Sequence, residues 1–368
     1  MTIEDLAITF VRGLGVRGVA HLVDHYGSAE AVFEASAEEL CRDTGLRREI
    51  AESIVSREWM ALAEREVVYC QKNAISMVAA TDAEYPKLLR ETPDRPHVLF
   101  VQGNIDVLSK ASLSIVGTRS MTPSGQHATT KLIEGLAKDV DNFAIVSGIA
   151  YGIDAACHRA ALSSGVPSVA VLANPLPDIN PAPHRQLAAD IIKNGGAIIT
   201  ECNSQCRQNG KLFVARNRII AGMSMGTLVV ESPASGGALT TAEFADGYHR
   251  TVMALPGRIT DSSSFGTNNL IRTGKARLVL TPYDIISDMG WATAATKDGV
   301  ETSAAVEYST LAPEELTTMA VFDTIARPEI QELINATGFT IGELMMVLMG
   351  LELKGLIRTL PGQRYEKI

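Results

Sequence analysis

The sequence predicts an α/β protein whose core is a parallel β-sheet covered by helices on both faces. Seven short apolar runs recur between residues 112 and 281, and each is continuous, as is typical of strands buried on both faces. Stretches of about ten or more residues with helical periodicity separate them, and these supply the crossovers that parallel strands need. The strand-like runs cover residues 112–117, 143–148, 168–173, 197–200, 227–231, 251–255 and 276–281, and the helical stretches include 125–138, 154–164 and 184–193.

Length and composition are those of a globular protein. The 368 residues suit two or three domains, and 46% hydrophobic against 20% charged residues excludes a disordered chain. No uninterrupted apolar run approaches the roughly 18 residues of a membrane span. The N-terminus has early acids where an export signal would have a basic and then an apolar segment. We therefore expect a cytoplasmic protein that does not enter a membrane.

The five cysteines are scattered along the chain, and only Cys202 and Cys206 lie close together. No second pair completes a tetrahedral metal site, so we expect no metal and no cofactor. Reduced, mostly buried thiols in a cytoplasmic protein are the favoured interpretation.

Charge is distributed unevenly along the chain. The net charge is −9, and residues 1–80 hold 8 basic and 13 acidic residues. By contrast, residues 207–218 hold four bases and no acid: Arg207, Lys211, Arg216 and Arg218. A polyanion should therefore meet the middle of the chain.

Residues 1–75 are predicted to form a small helical domain of short amphipathic helices. Gly13, Gly15 and Gly18 precede an apolar-periodic helix, which is the pattern of a helix-hairpin-helix module whose amides can grip phosphate. A small bundle used for packing or protein contact is the alternative, and the acidic balance favours it. Residues 71–110 connect this region to the parallel strands and include a strand-like run at 98–103, and the predicted sheet domain as a whole covers residues 76–290.

The distinctive loops of the chain follow predicted strands. GTRSMTPSG (117–125) follows the first, with Arg119 projecting from the loop and Ser124 as a candidate helix N-cap. SGIAYGID (147–154) follows the second, and Asp154 either caps the next helix, which we favour, or braces Arg119. Neither loop has the glycine spacing of a dinucleotide site or a P-loop. His158 is expected to pack in the core.

The stretch from residue 213 to residue 245 combines features that favour an anion. Arg216 and Arg218 flank Asn217, and their guanidiniums suit phosphate oxygens. A buried strand follows, then a loop with Gly236 and Gly237 that opens a helix and leaves backbone N–H groups unpaired. A buried glycine turn with two solvated arginines is the alternative for this stretch taken alone.

Taken in order, GTRS, SGIAYGID, FVARNRIIAGMS, SPASGGALTTAEFA, ALPG (254–257) and FGTNNLI (265–271) resemble the DNA-processing protein A family (DprA, also called Smf). The resemblance implies an extended Rossmann-like domain between a helical domain related to sterile-alpha-motif or helix-hairpin-helix modules and a C-terminal winged helix. It also implies sequence-independent binding of single-stranded DNA, dimerisation, and loading of the RecA recombinase onto incoming strands in natural transformation (competence). Members have no established enzymatic activity.

The same resemblance implies a set of DNA-binding residues. By motif position, the basic pocket of the family maps onto three loops and one helix of this chain. Lys211 is a plausible further contact, and Phe213 could stack on a base, although we expect it to pack in the core. The implied DNA-binding residues are Gly117, Thr118, Arg119, Ser147, Gly148, Gly152, Lys211, Arg216, Asn217, Arg218, Ser235, Gly236 and Gly237.

Several positions depart from the family pattern. Thr118 stands where Ser is usual, Val214 where Pro precedes the RNR segment, and Asn180 where Tyr precedes Pro. These changes keep the charges of the pocket but put the shape of its rim in doubt.

The C-terminal part is predicted to be a linker and a small domain. Residues 291–314 are rich in Ala, Thr and Ser and are predicted to be a linker. Residues 315–368 have helices followed by a hairpin with Pro361 and Gly362 at its turn, which is the winged-helix pattern. Met345, Met346 and Met349 are expected to pack inside it. Because the domain is net acidic, we predict that it contacts protein instead of duplex DNA.

An enzyme is the rival hypothesis. GGALTTAE (236–243) resembles a motif of nucleoside-monophosphate phosphoribohydrolases, in which Glu243 would stabilise a ribosyl cation and Arg216 would hold phosphate. Leu239 replaces a glycine of that motif and would crowd the nucleotide. The remaining motifs favour the DNA-binding interpretation, so we expect no enzymatic activity.

Overall fold

The structure is a computed structural model that describes residues 1–207, 209–292, 311–322, 325, 328–353, 356–360 and 364–367. It contains two compact units, Met1–Ala294 and Ala295–Ile368. The predicted N-terminal helices and the predicted sheet therefore share one unit. Residues 293–310, which carry most of the predicted linker, lie outside the described residues.

A nine-stranded sheet forms the centre of the first unit, with strand order β1-β2-β6-β5-β4-β3-β7-β8-β9. The strands from β3 onward pair in parallel as predicted, whereas β2 pairs antiparallel with both β1 and β6. The pattern did not reveal β1. The strands are β1 (Ser76–Ala79), β2 (Val98–Gly103), β3 (Ala111–Val116), β4 (Phe143–Ser147), β5 (Ser168–Val171), β6 (Ala197–Thr200), β7 (Gly226–Val229), β8 (Thr251–Ala254) and β9 (Arg277–Leu278).

The chain order of the strands creates a switch point at β3. From β3 the chain adds β4, β5 and β6 on one side, and then crosses over to add β7, β8 and β9 on the other. The loops that leave β3, β4 and β7 therefore lie at the carboxyl ends of these three neighbouring strands, where open α/β sheets bind ligands.

Helices cover both faces of the sheet, and the apolar strands pack between them in two clusters of buried residues. Strands buried on both faces explain why the apolar runs are continuous. The helices of this region are α7 (Lys87–Arg90), α8 (Pro123–Asp139), α9 (Ile153–Ser163), α10 (Arg185–Lys193), α11 (Gly210–Met223), α12 (Gly237–Gly247), α13 (Phe265–Arg272) and α14 (Pro282–Met289).

The N-terminal helices dock on the β1–β2–β6 side through buried polar contacts. His97 Nε2 lies 2.8 Å from the Asp5 carboxylate, and both side chains are buried. The Ser204 N–H and Oγ both donate to Glu66, at 2.7 and 2.5 Å. The helices are α1 (Ile3–Phe10), α2 (Gly15–Tyr26), α3 (Ala29–Glu34), α4 (Ala37–Thr44), α5 (Arg48–Val55) and α6 (Met60–Lys72).

The second unit has the predicted winged-helix arrangement of helices followed by a hairpin. The helices are α15 (Pro313–Phe322), α16 (Ile330–Thr337) and α17 (Ile341–Leu353), and the antiparallel hairpin pairs β10 (Ile357–Leu360) with β11 (Arg364–Lys367). The predicted turn at Pro361 and Gly362 lies outside the described residues.

The methionines of α17 correct one prediction. Met345, Met346 and Met349 are 47%, 77% and 66% exposed, so they do not pack inside the domain. The opposite face of the helix supplies the core through Leu344, Leu348 and other residues.

Within the described residues, no single helix has the length and apolar character to cross a membrane. The bent pair α16 and α17 meets that test by length and composition only.

Candidate nucleic-acid interface

A cavity of about 290 Å³ opens at the switch point of the sheet. Its lining comes from the loops that leave β3, β4 and β7 and from one face of α11. Four separate segments thus converge where the topology predicts a ligand site. The lining residues are drawn from 116–119, 150 and 154, 213–220 and 232–241.

Backbone hydrogen bonds fix the β3–α8 loop at this edge. The Thr118 N–H donates to Glu231 O at 2.8 Å, and the Thr118 carbonyl accepts from Ile153 N–H at 3.2 Å. Gly152 lies against the same loop with φ +77°, and a Cβ there would stand 2.2 Å from Thr118 O. Only glycine combines this backbone conformation with this approach. The loop is therefore held from both sides, and Arg119 projects from a fixed base.

Arg119 and Phe213 form the rim of the cavity. Arg119 is exposed, and its Cζ lies 5.6 Å from the centroid of the Phe213 ring, a cation–π distance. Phe213 is half-buried and lines the cavity. The prediction that Phe213 packs in the core is therefore wrong. It lies in the first turn of α11, before the buried part of the helix begins at Arg216.

Arg216 forms the floor of the cavity. Its side chain is buried, and Nη1 donates to Gly148 O at 2.7 Å and to Val171 O. A Cβ on Gly148 would lie 2.2 Å from Nη1, so this glycine makes room for the guanidinium. Burial lowers the pKa of Arg216, which the nearby Asp154 carboxylate partly offsets. Nε has no hydrogen-bond partner among the described residues, so the buried cation is incompletely satisfied.

Asp154 is the buried acid nearest to this cation. It lies in the first turn of α9 and accepts a hydrogen bond from Ala150 N–H at 3.3 Å, so it braces the β4–α9 loop. Burial raises the pKa of Asp154 despite the opposing effect of Arg216. In the described part of the chain, no side chain caps the N-terminus of α9. The prediction that Asp154 caps α9 is therefore wrong, and its carboxylate instead holds the preceding loop.

The N-terminus of α12 faces the same cavity. Gly236 and Gly237 line it, and within the described residues no side chain caps this helix. Asn217 Nδ2 donates to Gly237 O at 3.1 Å, which ties the loop to α11. An 11-residue helix with open N–H groups presents the positive end of its dipole to the cavity. The N-terminus of α8 differs, because the Thr122 hydroxyl caps it, not Ser124, and the Glu231 carboxylate covers it.

A second, smaller cavity of about 110 Å³ adjoins the first and shares Arg119, Phe213 and Arg216 with it. Tyr151 and Asn180 line only this second cavity. The Tyr151 ring is 48% exposed and lies edge-on to His184, with centroids 5.0 Å apart. The two cavities therefore form one basic depression with aromatic rings on its walls.

Residues 76–290 match the family model of the DNA recombination-mediator protein A, and residues 329–363 match that of the DprA winged helix domain. The chain belongs to the DNA recombination-mediator protein A family.

Individual relatives agree with this assignment. Protein Smf of Escherichia coli is 31% identical over 361 residues, which cover 97% of this chain and 92% of that protein. The crystal structure of DNA processing protein A from Streptococcus pneumoniae superposes with a TM-score of 0.68 at 29% identity, covering 78% of this chain and 98% of that one. DNA processing protein A from Helicobacter pylori, solved for its single-stranded DNA binding mode, has a TM-score of 0.52 at 26% identity over 61% and 96% of the two chains.

The structure corrects the placement of Arg218, which the family motif assigns to the pocket. Arg218 is buried on another face of α11, because two residues along a helix turn the side chain by about 200°. Its Nη1 and Nη2 each lie 2.6 Å from the Glu201 carboxylate, and Nε donates to Asp94 O at 2.9 Å. Burial alone would lower the pKa of Arg218, but Glu201 outweighs it and holds the pKa above its ordinary value. Arg218 therefore holds the fold together and does not share the cavity.

Four other motif residues do not line either cavity in the part of the chain that the structure describes. Ser147 is fully buried and donates to Ile115 O at 2.7 Å, joining β4 to β3. Gly152 shapes the loop described above. Lys211 and Ser235 are exposed outside the two linings. Gly117, Thr118, Arg119, Gly148, Arg216, Asn217, Gly236 and Gly237 line one or both cavities.

Tyr151 and Asn180 also line the site, although neither is among the DNA-binding residues that the resemblance implies. Tyr151 lies in the SGIAYGID loop, so its position after a strand was a usable signal. Asn180 lies in a long loop after β5, and its departure from the family pattern was the signal that connected this loop with the rim of the pocket. His158, by contrast, is confirmed as a core residue: it is fully buried, with Nδ1 3.0 Å from Ser168 Oγ.

Glu243 does not have the position that the rival enzyme requires. It is exposed on α12 and, in the described residues, lies outside the lining of both cavities. The α12 side chains of Ala238 and Thr241 do line the larger cavity.

Proposed function

We propose that this protein is a recombination mediator that binds single-stranded DNA in the depression at the switch point and delivers the strand to the RecA recombinase. One observation carries the proposal: Arg119, the buried Arg216 and the open N-terminus of α12 converge on one cavity. Membership of a recombination-mediator family supports the same interpretation.

The grip on DNA is electrostatic and acts on phosphates. Arg119 reaches solvent from a fixed loop, so it can meet a phosphate without rearrangement of the backbone. Arg216 offers an incompletely satisfied cation at the floor, and the α12 amides add donors beside it. Affinity should therefore fall steeply as salt rises.

Stacking on aromatic rings makes the binding tolerant of sequence. Phe213 and Tyr151 stand on the walls of the depression, and a base on such a ring gains about 1–3 kcal/mol whatever its identity. Asn217, a side chain that could read base edges, already donates to Gly237 O. Lys211 and Ser235 would meet phosphates further along the strand.

A homodimer would join two such depressions into a longer track. Among the described residues β9 is the last strand at its edge of the sheet. Leu278 within it, and Leu280 and Tyr283 after it, are 45%, 68% and 69% exposed. An uncovered sheet edge with apolar side chains favours pairing with a second copy. Binding through two sites then gains avidity without new contacts.

Delivery to RecA and a role in natural transformation in the cytoplasm extend the proposal beyond DNA binding. The winged-helix unit supports a protein contact, because α17 contains two acidic residues and no basic ones. A recognition helix without bases is poorly suited to a DNA groove. If the isolated winged-helix domain shifts duplex DNA tightly and in a salt-sensitive way, that assignment is wrong.

Titration of a fluorescent oligothymidine at two salt concentrations tests DNA binding. Arg119→Ala should weaken binding by about tenfold or more. It should also make the slope of log affinity against log salt concentration shallower by about one. Lys131→Ala is the matched control, because it removes one exposed cation from α8 outside both cavities. Equal affinities for the wild type and Arg119→Ala would refute the proposed site. Measuring RecA filament formation on single-stranded DNA with and without this protein tests delivery separately.

A further inference from the structure

Cys202 and Cys206 lie together in the loop between β6 and α11, and neither has a role in the DNA site. A turn in which Cys206 N–H donates to Asn203 O at 3.0 Å brings the second cysteine back toward the first. The two thiols are close enough to influence each other electrostatically, and neither is in a disulfide. Cys202 is buried, whereas Cys206 is half-buried and so reaches solvent.

The surroundings of the pair favour a thiol reaction over metal binding. Among the described residues no group of three His, Cys, Asp or Glu side chains is placed to hold a metal ion. Glu201, which directly precedes Cys202, has its charge compensated by the bidentate contact with Arg218, and the Glu66 carboxylate accepts two hydrogen bonds from Ser204. Arg207 follows Cys206 and is exposed. An anionic sulfur at Cys206 therefore meets little repulsion.

We propose that Cys202 and Cys206 are a modification site, where a hydroperoxide oxidises the half-buried Cys206 and the buried Cys202 then closes a reversible disulfide.

The chemistry needs one hydroperoxide for each pair. The Cys206 thiolate attacks the terminal peroxide oxygen, an S–O bond forms, the O–O bond breaks, and the leaving alkoxide or hydroxide takes a proton. Cys202 then attacks the Cys206 sulfur, the S–S bond forms, and the S–O bond breaks. The departing hydroxide leaves as water with the Cys202 proton. Two thiols are oxidised, one peroxide is reduced, and a dithiol reverses the reaction.

The environments of the other cysteines make the site selective. The neighbouring Cys202 thiol lowers the pKa of Cys206 below its ordinary value. Burial raises the pKa of Cys70 to about 12, and that of Cys157, which donates to Asp154 O at 3.0 Å, is raised as well. Cys41 is half-buried like Cys206 but has no neighbouring thiol in the described residues. Since the thiolate is the reactive form, Cys206 should react first.

The disulfide would close around an anchor of the fold. Ser204 lies between the two cysteines and donates twice to Glu66 of α6. The same loop leads into α11, which carries Phe213 and Arg216. Oxidation would therefore stiffen the segment that connects the N-terminal helices to α11.

Mass spectrometry of the full-length protein tests the site without reference to DNA binding. The protein is exposed to limiting hydrogen peroxide, its remaining thiols are alkylated, and it is digested. We expect a Cys202–Cys206 disulfide to form before alkylation at Cys41 declines. Cys202→Ser should accumulate a dimedone-reactive sulfenic acid at Cys206, and Cys41→Ser should oxidise like the wild type. Oxidation of Cys41 at the same rate, or thiol loss at Cys202 that is undiminished in Cys206→Ser, would overturn the proposal.

Discussion

Replacement of Arg218 separates a structural arginine from a DNA-binding one. The family motif places Arg218 beside Arg216, but the structure commits its guanidinium to Glu201 and to Asp94 O. Arg218→Ala should therefore destabilise the protein and leave the oligonucleotide affinity of the folded fraction unchanged.

The magnitude follows from burial. Removal of one partner from a buried ion pair costs about 3–5 kcal/mol, because the other charge is left without compensation. The Arg218 side chain is 6% exposed and that of Glu201 is 18% exposed. Water can partly solvate the orphaned Glu201, so we expect a loss near the lower end, about 3 kcal/mol. The double variant Arg218→Met with Glu201→Gln removes both charges and should recover much of that loss.

Denaturation followed by tryptophan fluorescence measures this effect. Trp59 is buried among the N-terminal helices and Trp291 packs on Phe143, with ring centroids 5.3 Å apart, so both report on the first unit. The double variant is the control for general disruption of the site. A stable Arg218→Ala protein that no longer binds the oligonucleotide would refute this reasoning and return Arg218 to the DNA site.

Three further predictions test other parts of the structure. Gly152→Ala should lower both stability and oligonucleotide affinity, because its Cβ would stand 2.2 Å from the backbone. Gly165→Ala is the control, because Gly165 has φ +70° but open space around it; this variant should lose only about 1 kcal/mol of stability in thermal unfolding and keep its affinity. Phe213→Ala should weaken binding by about 1–3 kcal/mol for every oligonucleotide sequence in titrations, and a loss confined to one sequence would contradict a stacking role. Burial lowers the pKa of His158 to about 3. Between pH about 3 and about 6.5, this histidine is therefore protonated in the unfolded chain and neutral in the folded one. The free energy of unfolding should therefore fall by up to about 1.4 kcal/mol per pH unit as pH drops below about 6.5, and His158→Leu should flatten that slope in denaturant titrations.

Much of the fold could be predicted from the sequence because strands and helices follow local patterns. The predicted run 143–148 is β4 (Phe143–Ser147), and the predicted helix 125–138 is α8 (Pro123–Asp139). β1 escaped prediction because it is a four-residue strand with an exposed first residue, so its apolar signal is weak. The sequence showed that α17 is apolar, but it did not show which face of the helix packs against the core. Its leucines face the core while Met345, Met346 and Met349 face solvent.

The candidate site was predictable as a region and less so residue by residue. Placing the distinctive loops at strand ends brought Arg119 and Gly236 together, because the carboxyl ends of neighbouring parallel strands share one edge of the sheet. The position of a residue in the chain did not show that Ser147 points into the sheet or that Tyr151 lines the second cavity. Those outcomes depend on contacts between segments far apart in the chain.

The sequence by itself determined the order of strands and helices, the edge of the sheet where the loops meet, and the excess of positive charge on the segment that enters α11. Only the tertiary structure decided how each arginine is used. Arg216 and Arg218 are chemically identical and two residues apart, yet one meets two carbonyls and an open cavity while the other meets a carboxylate. The difference arises because the phase of the helix and the position of Glu201 directly after β6 determine which charge is neutralised inside the protein and which can still attract a phosphate.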